Sequence, residues 1–190
     1  MSVMPRSDNV TELVRRLDDA VAHGEPNAIC RDVKAVLADV IGRNHDFLDP
    51  HFLQPRPDRY ARRLLHLDPA GRYSVLVMVW NVGQGTPLHD HAGSWCVEAV
   101  YQGRIRVTSY SLQGDPTAGP VKFSQESVIQ AGVGEAGHLI PPFEYHVLEN
   151  AANTPAVTIH VYSGEMTWCH VFHPEGDRWR RERRELAYYE

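Results

Sequence analysis

The chain has 190 residues, 43% of them hydrophobic, and its 19 basic and 24 acidic side chains give a formal net charge of −5. This size is typical of a single domain with its own core, and the mild acidity argues against a nucleic-acid partner, since phosphate binding needs a basic face. The three cysteines lie far apart without a CxxC pair, which disfavours a disulfide framework or a zinc ribbon and favours a reducing cytoplasm.

The first part of the chain is predicted to be helical. Its first ten residues, MSVMPRSDNV, lack the apolar core of a signal peptide, and no stretch reaches the roughly 20 apolar residues of a membrane span. We therefore expect neither export by that route nor membrane insertion. Apolar residues at spacings of three and four predict one helix over 10–21 and another over 26–41 that ends at Gly42. Three prolines within 44–58 predict a loop.

From Arg59 onward the pattern changes to short β-rich runs separated by turn residues, which is typical of a barrel or sandwich. The predicted strands cover 60–67, 73–80, 95–110, 127–130, 137–140, 146–150, 156–163 and 167–172. The fold class is therefore mainly β, with N-terminal helices packed on a β body.

The chain divides into three predicted segments. These are a helical segment at 1–58, a barrel at 59–175 and a charged tail at 176–190. From Glu175 to Glu190, five arginines and five acidic residues give a net charge of zero. Mixed signs at close spacing favour a solvated, salt-bridged segment over a binding patch.

Two of the 11 histidines form an HxH pair at the start of a predicted strand. Residues i and i+2 of a strand face the same side, so His89 and His91 converge while Asp90 faces away as a supporting or surface residue. Such a pair also occurs on surfaces without a metal. The preferred third member is His146, and His138 is the competing candidate.

Two longer spacings surround these histidines. The pattern G-x5-H-x-H-x4-C-x6-G, from Gly83 to Gly103, resembles the first cupin motif with Cys96 in place of the usual glutamate ligand. The run PPFEYHVLEN at 141–150 resembles the second motif, with Phe143 where that motif has glycine. The resemblance implies a cupin-like jelly-roll β-barrel that holds a metal. Three imidazoles without a carboxylate leave the charge of a divalent ion uncompensated and do not choose among iron, copper, nickel and zinc.

Further matches extend over most of the β body, including YAR at 60–62, Cys96 five residues after His91, HVLEN at 146–150 and TIHVY at 158–162. In these residues the chain resembles the cysteine dioxygenase family. The resemblance implies an iron(II)-dependent enzyme that oxidises L-cysteine with O2 to cysteine sulfinate. It assigns iron binding to His89, His91 and His146, and carboxylate binding to Arg62 with Tyr60. It also assigns a thioether to Cys96 with Tyr162 and a relay to Thr158, His160 and Tyr162. Trp80 is expected to pack around the site.

The chemistry of the residues is compatible with these roles. Thr158, His160 and Tyr162 share one strand face, and Thr158 replaces the family's usual serine while keeping a hydroxyl. Arginine binds a carboxylate through two parallel hydrogen bonds. The residues alone also allow simpler interpretations, in which Arg62 belongs to a solvated cluster, the strand's polar groups satisfy one another, and Cys96 fills the core.

A sister family, the 3-mercaptopropionate dioxygenases, tends to carry Gln in place of Arg62 and Gly in place of Cys96, so both residues here favour cysteine. The alternatives are the same chemistry on 3-mercaptopropionate and a non-catalytic cupin that senses or stores a metal or thiol. The expected partners are a small thiol and O2, with no nucleic acid, no membrane and no obligatory protein partner. The expected location is the cytoplasm.

Overall fold

The N-terminal helices occur as predicted in the computed structural model, which describes residues 8–22, 24–44, 46–117 and 119–189. Helix α1 spans Asp8–Val21 and helix α2 spans Pro26–Arg43. A short 3-10 helix at Pro50–Leu53 interrupts the predicted loop. Within the described ranges, neither helix is both long enough and apolar enough to cross a bilayer.

The β body is built from antiparallel strands in two sheets. One sheet has the order β1-β2-β9-β4-β7 and the other the order β11-β10-β3-β8-β5-β6. The strands of the described residues are β1 Ala61–Leu67, β2 Tyr73–Trp80, β3 Leu88–His89, β4 Cys96–Gln102, β5 Arg104–Gln113, β6 Lys122–Gly132, β7 Ala136–Leu139, β8 Tyr145–Asn150, β9 Ala156–Ser163, β10 Trp168–Glu175 and β11 Arg178–Glu185. The molecule is a cupin-like jelly-roll barrel with two helices added.

The two faces of the five-stranded sheet are both covered. Val75, Val77 and Val79 of β2 pack with the helices in one core cluster, while Met78 and Trp80 pack with residues of the six-stranded sheet. All eight residues of β2 are buried, and this explains their nearly unbroken apolar sequence. The barrel interior lies between the two sheets.

The predicted strand over 95–110 is wrong as a single element, because the chain breaks at Gly103. The glycine has a φ of +80°, and a Cβ there would lie 2.9 Å from Cβ of Ala156. A residue with a side chain fits neither the left-handed backbone nor the close approach. At this point the chain leaves β4 in one sheet and enters β5 in the other.

The charged C-terminal residues form a strand that the sequence does not predict. Strand β11 pairs with β10 along its whole length and is the edge of the six-stranded sheet. Its charged side chains form ion pairs, such as the one between Arg180 and Glu175 at 2.8 Å. Charged side chains are a common means of keeping an edge strand from pairing further. The boundaries between the three predicted segments stay a prediction.

Candidate metal centre

Three histidines meet between the two sheets. The nitrogens that His89, His91 and His146 offer all lie within 4.8 Å of one another, and Nε2 of His146 is 3.2 Å from Nε2 of His89. His89 in β3 is the direct cross-strand partner of His146 in β8, and the ring centroid of His91 lies 5.2 Å from that of His89. The structure thus brings together the three residues that the sequence predicts as ligands.

The second ring nitrogen of each histidine faces an oxygen atom. The Nδ1–oxygen distances are 3.0 Å from His89 to the Pro87 carbonyl, 3.4 Å from His91 to Glu144 and 3.8 Å from His146 to Glu98. An oxygen on that side favours the tautomer with its proton on Nδ1, which leaves Nε2 free for a metal.

Burial keeps two of these rings uncharged. It lowers the pKa of His89 to about 3, with a further contribution from His91, and it lowers the pKa of His146 well below its ordinary value. Neutral imidazole is the form that binds a metal. The donor set therefore fits a divalent transition metal such as iron(II), although imidazoles alone do not distinguish it from its neighbours in the series.

Asp90 supports the loop that carries His91 and is buried. Its carboxylate accepts hydrogen bonds from the backbone N–H of His170 at 2.8 Å and of Ala92 at 3.1 Å, and lies 2.8 Å from Nδ1 of His170. Ala92 has a φ of +54°, which is strained for a residue with a side chain. Of the two roles that the sequence leaves open for Asp90, the structure agrees with the supporting one.

A row of hydrogen bonds runs along the interior face of the five-stranded sheet. Nε1 of Trp80 donates to Oγ1 of Thr158 at 2.9 Å, Oγ1 lies 2.8 Å from Nε2 of His160, and Nδ1 of His160 lies 3.2 Å from the hydroxyl of Tyr162. An indole can only donate, so the Thr158 hydroxyl proton is available for Nε2 of His160. This arrangement favours the tautomer of neutral His160 with its proton on Nδ1, facing the Tyr162 oxygen.

The hydrogen bonds of this row therefore all donate in the same direction, from Trp80 towards Tyr162. In that tautomer Nδ1 of His160 donates to the phenol oxygen, and the phenol proton points to Sγ of Cys96, with which Tyr162 shares a side-chain hydrogen bond. Burial, reinforced by nearby Cys96, raises the pKa of Tyr162 well above its ordinary value, so the phenol stays protonated. Burial likewise lowers the pKa of His160 to about 3. Trp80, which the sequence assigns to packing, also orients this row.

Cys96 faces Tyr162 across β4 and β9, where the two are direct cross-strand partners. Direct partners in antiparallel strands have Cβ atoms about 4.5–5.5 Å apart, a separation that two such side chains can bridge. Sγ of Cys96 also lies 4.0 Å from Nδ1 of His160. Desolvation is the main reason that the pKa of the Cys96 thiol lies well above its ordinary value.

A narrow cleft beside the histidines is lined by Tyr60 and Arg62. Its free volume of about 30 Å³ admits only a small ligand. Nη2 of buried Arg62 donates to the Met166 carbonyl at 2.5 Å, whereas Nη1 has no hydrogen-bond partner among the described residues. Tyr60 packs against Trp80 with ring centroids 4.8 Å apart. A buried guanidinium nitrogen with an open donor suits an incoming carboxylate.

Some residues of the cleft are not predicted from the sequence. Arg184 of β11 lines the cleft, and the ring of Tyr188 lies 4.9 Å from Cζ of Arg62. Glu98 and Glu144 stand behind the histidines. Glu98 could have been found, because it follows Cys96 by two residues and so shares its strand face. No local pattern points to Glu144.

A larger cavity of about 390 Å³ is lined mainly by residues of β4 to β7 and shares Leu148 with the cleft. Glu98 lines this cavity, but the lining includes none of the three clustered histidines. Burial raises the pKa of Glu98 to about 8. The chemistry of the lining residues identifies the smaller cleft, and not the larger cavity, as the candidate site.

Two details of the histidine motifs are explained by the structure. His138 lies exposed on β7, opposite Val97, and does not join the cluster. Phe143, at the position of the motif glycine, is 81% exposed, and its φ is not in the left-handed region. The turn therefore accepts a large side chain at this position without strain.

The barrel and its interior histidine cluster define a cupin-type protein. A solved structure of a conserved protein with a double-stranded β-helix domain, from Klebsiella pneumoniae, is similar over 62% of this chain and 88% of that chain, with 16% identity and a TM-score of 0.46.

A narrower classification comes from the sequence relatives. The family model described as Cysteine dioxygenase type I matches residues 3–175. Cysteine dioxygenase type 1 of Rattus norvegicus is 27% identical over 165 residues, which cover 86% of this chain and 78% of that protein. The Homo sapiens protein of the same name is 28% identical over 115 residues, or 60% of this chain and 56% of that protein. The chain belongs to the cysteine dioxygenase type I family.

Proposed function

We propose that the protein is an iron(II)-dependent dioxygenase that oxidises the thiol of L-cysteine with O2 to a sulfinate. The observation that carries the proposal is the meeting of His89, His91 and His146 beside a cleft with an open guanidinium donor. Three imidazoles leave several coordination positions free on an octahedral ion. Iron(II) bound there would supply adjacent positions for a thiolate and dioxygen.

The cleft residues would hold the substrate by its carboxylate. Arg62 lines the cleft, and its buried Nη1 has no hydrogen-bond partner among the described residues, so a carboxylate bound there would satisfy it. Tyr188 packs against the guanidinium plane, and the Met166 carbonyl accepts from Nη2, so the fork is held in one orientation. Tyr60 closes the same wall. Residues held in this way can position a small ligand without first having to rearrange.

Tyr162 would act as a proton donor at the wall of the cleft. Its oxygen accepts from Nδ1 of His160, and its proton, which points to Sγ of Cys96 in this structure, would turn to a ligand bound between Tyr162 and the histidines. The row from Trp80 to His160 keeps this direction of donation. The buried phenol also limits the room for bulk water.

A Cys96–Tyr162 thioether is part of the proposal, supported by their cross-strand pairing. Its formation would join Sγ to a ring carbon of the phenol and break the S–H and C–H bonds, releasing two protons and two electrons, which O2 would take up as H2O2. Intact-protein mass before and after turnover measures this loss. If Cys96→Ala lost the same mass, the pairing of these two residues would be refuted.

The decisive experiment is oxygen uptake by iron-reconstituted protein with L-cysteine, for wild type and Arg62→Gln. We expect uptake by wild type and a rise in KM of roughly 10- to 100-fold in the variant, because a charge-assisted carboxylate contact is worth about 1.5–3 kcal/mol. Faster turnover of 3-mercaptopropionate than of cysteine would reassign the substrate. No uptake with either thiol by fully iron-loaded protein would favour a metal- or thiol-binding sensor.

A further inference from the structure

Two buried carboxyl groups stand directly behind two of the clustered histidines. Oε2 of Glu144 accepts the backbone N–H of His91 at 2.8 Å and lies 3.4 Å from Nδ1 of the same residue. Oε1 of Glu98 lies 3.8 Å from Nδ1 of His146, and its Oε2 lies 3.6 Å from Nδ1 of His160. Both glutamates are therefore on the side of the rings that faces away from the common centre.

These contacts are close but incomplete as hydrogen bonds. Nδ1 of His91, Nδ1 of His146 and Oε2 of Glu98 have no hydrogen-bond partner among the described residues. The distances of 3.4 Å and 3.8 Å exceed the usual 2.7–3.2 Å for a nitrogen donor. A shift of a few tenths of an ångström to about 1 Å in the rings would complete them.

An incompletely paired buried carboxyl group costs the fold stability. The side chain of Glu98 is only 11% exposed, and no arginine or lysine pairs with it among the described residues. An apolar residue at position 98 would avoid this cost, since Val100 and Leu139 already line the same cavity. The presence of Glu98 therefore needs a physical reason other than packing.

We infer that Glu98 and Glu144 are positioning residues, which accept the Nδ1 protons of His146 and His91 and so aim the Nε2 atoms of both rings at a bound metal. This inference rests on the proposed function only in that the three histidines bind a divalent metal. Carboxylates in this position fix the tautomer and make the imidazole a better ligand.

Glu98 has a second contact that links the metal side to the phenol side. Its two oxygens face the histidine of β8 and the relay histidine His160 of β9, so one carboxylate bridges the two sheets. An acceptor beside Nδ1 of His160 reinforces the tautomer that the Thr158 hydroxyl already favours. Glu98 thus helps to orient a ring on either side of the cleft.

The test measures the Fe(II) dissociation constant of the full chain under anaerobic conditions, by competition with a chromogenic chelator, together with the thermal midpoint of the metal-free protein. The variants are Glu98→Leu, Glu98→Gln and Glu144→Gln. The matched control is Glu149→Gln on β8, since the side chain of Glu149 is about half-exposed and pairs only loosely with Arg106 at 3.6 Å.

We expect Glu98→Leu to weaken Fe(II) binding by about 10- to 100-fold, the usual effect of losing such a residue. The metal-free midpoint of this variant should stay the same or rise, because an unpaired carboxyl group has been removed. Glu98→Gln and Glu144→Gln keep an acceptor oxygen and should weaken binding less than Glu98→Leu, and the control should change neither quantity.

Three outcomes would overturn the inference. Fe(II) affinity of Glu98→Leu within twofold of wild type would leave Glu98 as a residue of the larger cavity. Loss of affinity together with a lower midpoint, seen also in Glu98→Gln, would make its role purely structural. A second equivalent of Fe(II) bound by wild type and lost in Glu98→Gln would assign Glu98 to a separate site with Cys96 and His160, whose donor atoms also lie within 4.8 Å of one another.

The result is separable from that of the proposed function. Oxygen uptake with cysteine tests the reaction, whereas the chelator competition tests only how the histidines are held. Wild-type protein that binds Fe(II) but consumes no oxygen would refute the reaction and leave the role of the glutamates measurable.

Discussion

The two sheets of the barrel contribute different parts of the candidate site. The six-stranded sheet carries the histidine cluster, with His89 on β3 and His146 on β8, while the five-stranded sheet carries the arginine of β1 and the relay row of β9. The five-stranded sheet is covered by α1 and α2, but the outer face of the six-stranded sheet is largely open to solvent. The proposed metal binding and substrate orientation would therefore depend on sheets with different support.

The largest expected effect comes from removing one of the clustered histidines of the six-stranded sheet. His146→Ala should lower Fe(II) affinity by more than the roughly 100-fold that loss of a supporting residue costs, and oxygen uptake should fall to background. Iron content after reconstitution and desalting measures the change. The control is His138→Ala, which removes an exposed imidazole of the other sheet and should retain both iron and activity. Equal iron loss in both variants would contradict the assignment of His146.

The next effect tests the unequal support of the sheets. Leu37 of α2 is fully buried against the five-stranded sheet, so Leu37→Ala should lower the free energy of unfolding by about 2–5 kcal/mol. Ile129 of β6 is 55% exposed, and Ile129→Thr should change the free energy of unfolding by less than about 0.5 kcal/mol. Urea unfolding measures both. Similar losses would mean that the helices do not stabilise one sheet more than the other.

A smaller effect concerns the hydrogen-bonded row inside the five-stranded sheet. Thr158→Val removes the hydroxyl that pairs with both Trp80 and His160, and leaves two buried groups without a partner. The free energy of unfolding should fall by about 1–3 kcal/mol. Thr158→Ser keeps the hydroxyl and serves as the control in the same urea titration. A loss in the serine variant as large as in the valine variant would show that the methyl group, and not the hydroxyl, matters.

The smallest effect lies in the turn between β1 and β2 and depends on pH. Hydrogen bonds from Arg72 hold the pKa of the Asp68 carboxyl well below its usual range, with Nε at 2.9 Å and the backbone N–H at 2.8 Å. A folded-state pKa below the unfolded one stabilises the protein above about pH 4. This contribution is lost as the pH falls from about 4 through the lower pKa of the folded state.

Asp68→Asn should therefore lower the thermal midpoint at pH 7 by about 2–4 °C, since a pair with a half-exposed arginine contributes up to about 1 kcal/mol. The difference from wild type should shrink as the pH is lowered below about 4. Asp46→Asn, at an exposed position, controls for the change in net charge. A difference that is constant from pH 7 to pH 3 would contradict the ionic origin of the effect.

Local patterns were sufficient for much of the fold. The spacing of apolar residues predicted both helices, and alternation with turn residues predicted most strands, because each signal depends on one short stretch of chain. The strand at Arg178–Glu185 was missed, because an edge strand with charges on both faces has no apolar period to detect. The break at Gly103 was missed as well, since its cause is the approach of Ala156, more than fifty residues away.

For the candidate site, the sequence by itself determined which residue types are present and which share a strand face, as with His89 and His91 or Thr158, His160 and Tyr162. Period-two geometry makes this a local property. Only the tertiary structure decided that His146 pairs with His89, that Cys96 faces Tyr162, and that Glu98 and Glu144 stand behind the imidazoles. Strand register and the packing of one sheet on the other set these distances, and both depend on contacts between residues far apart in the chain.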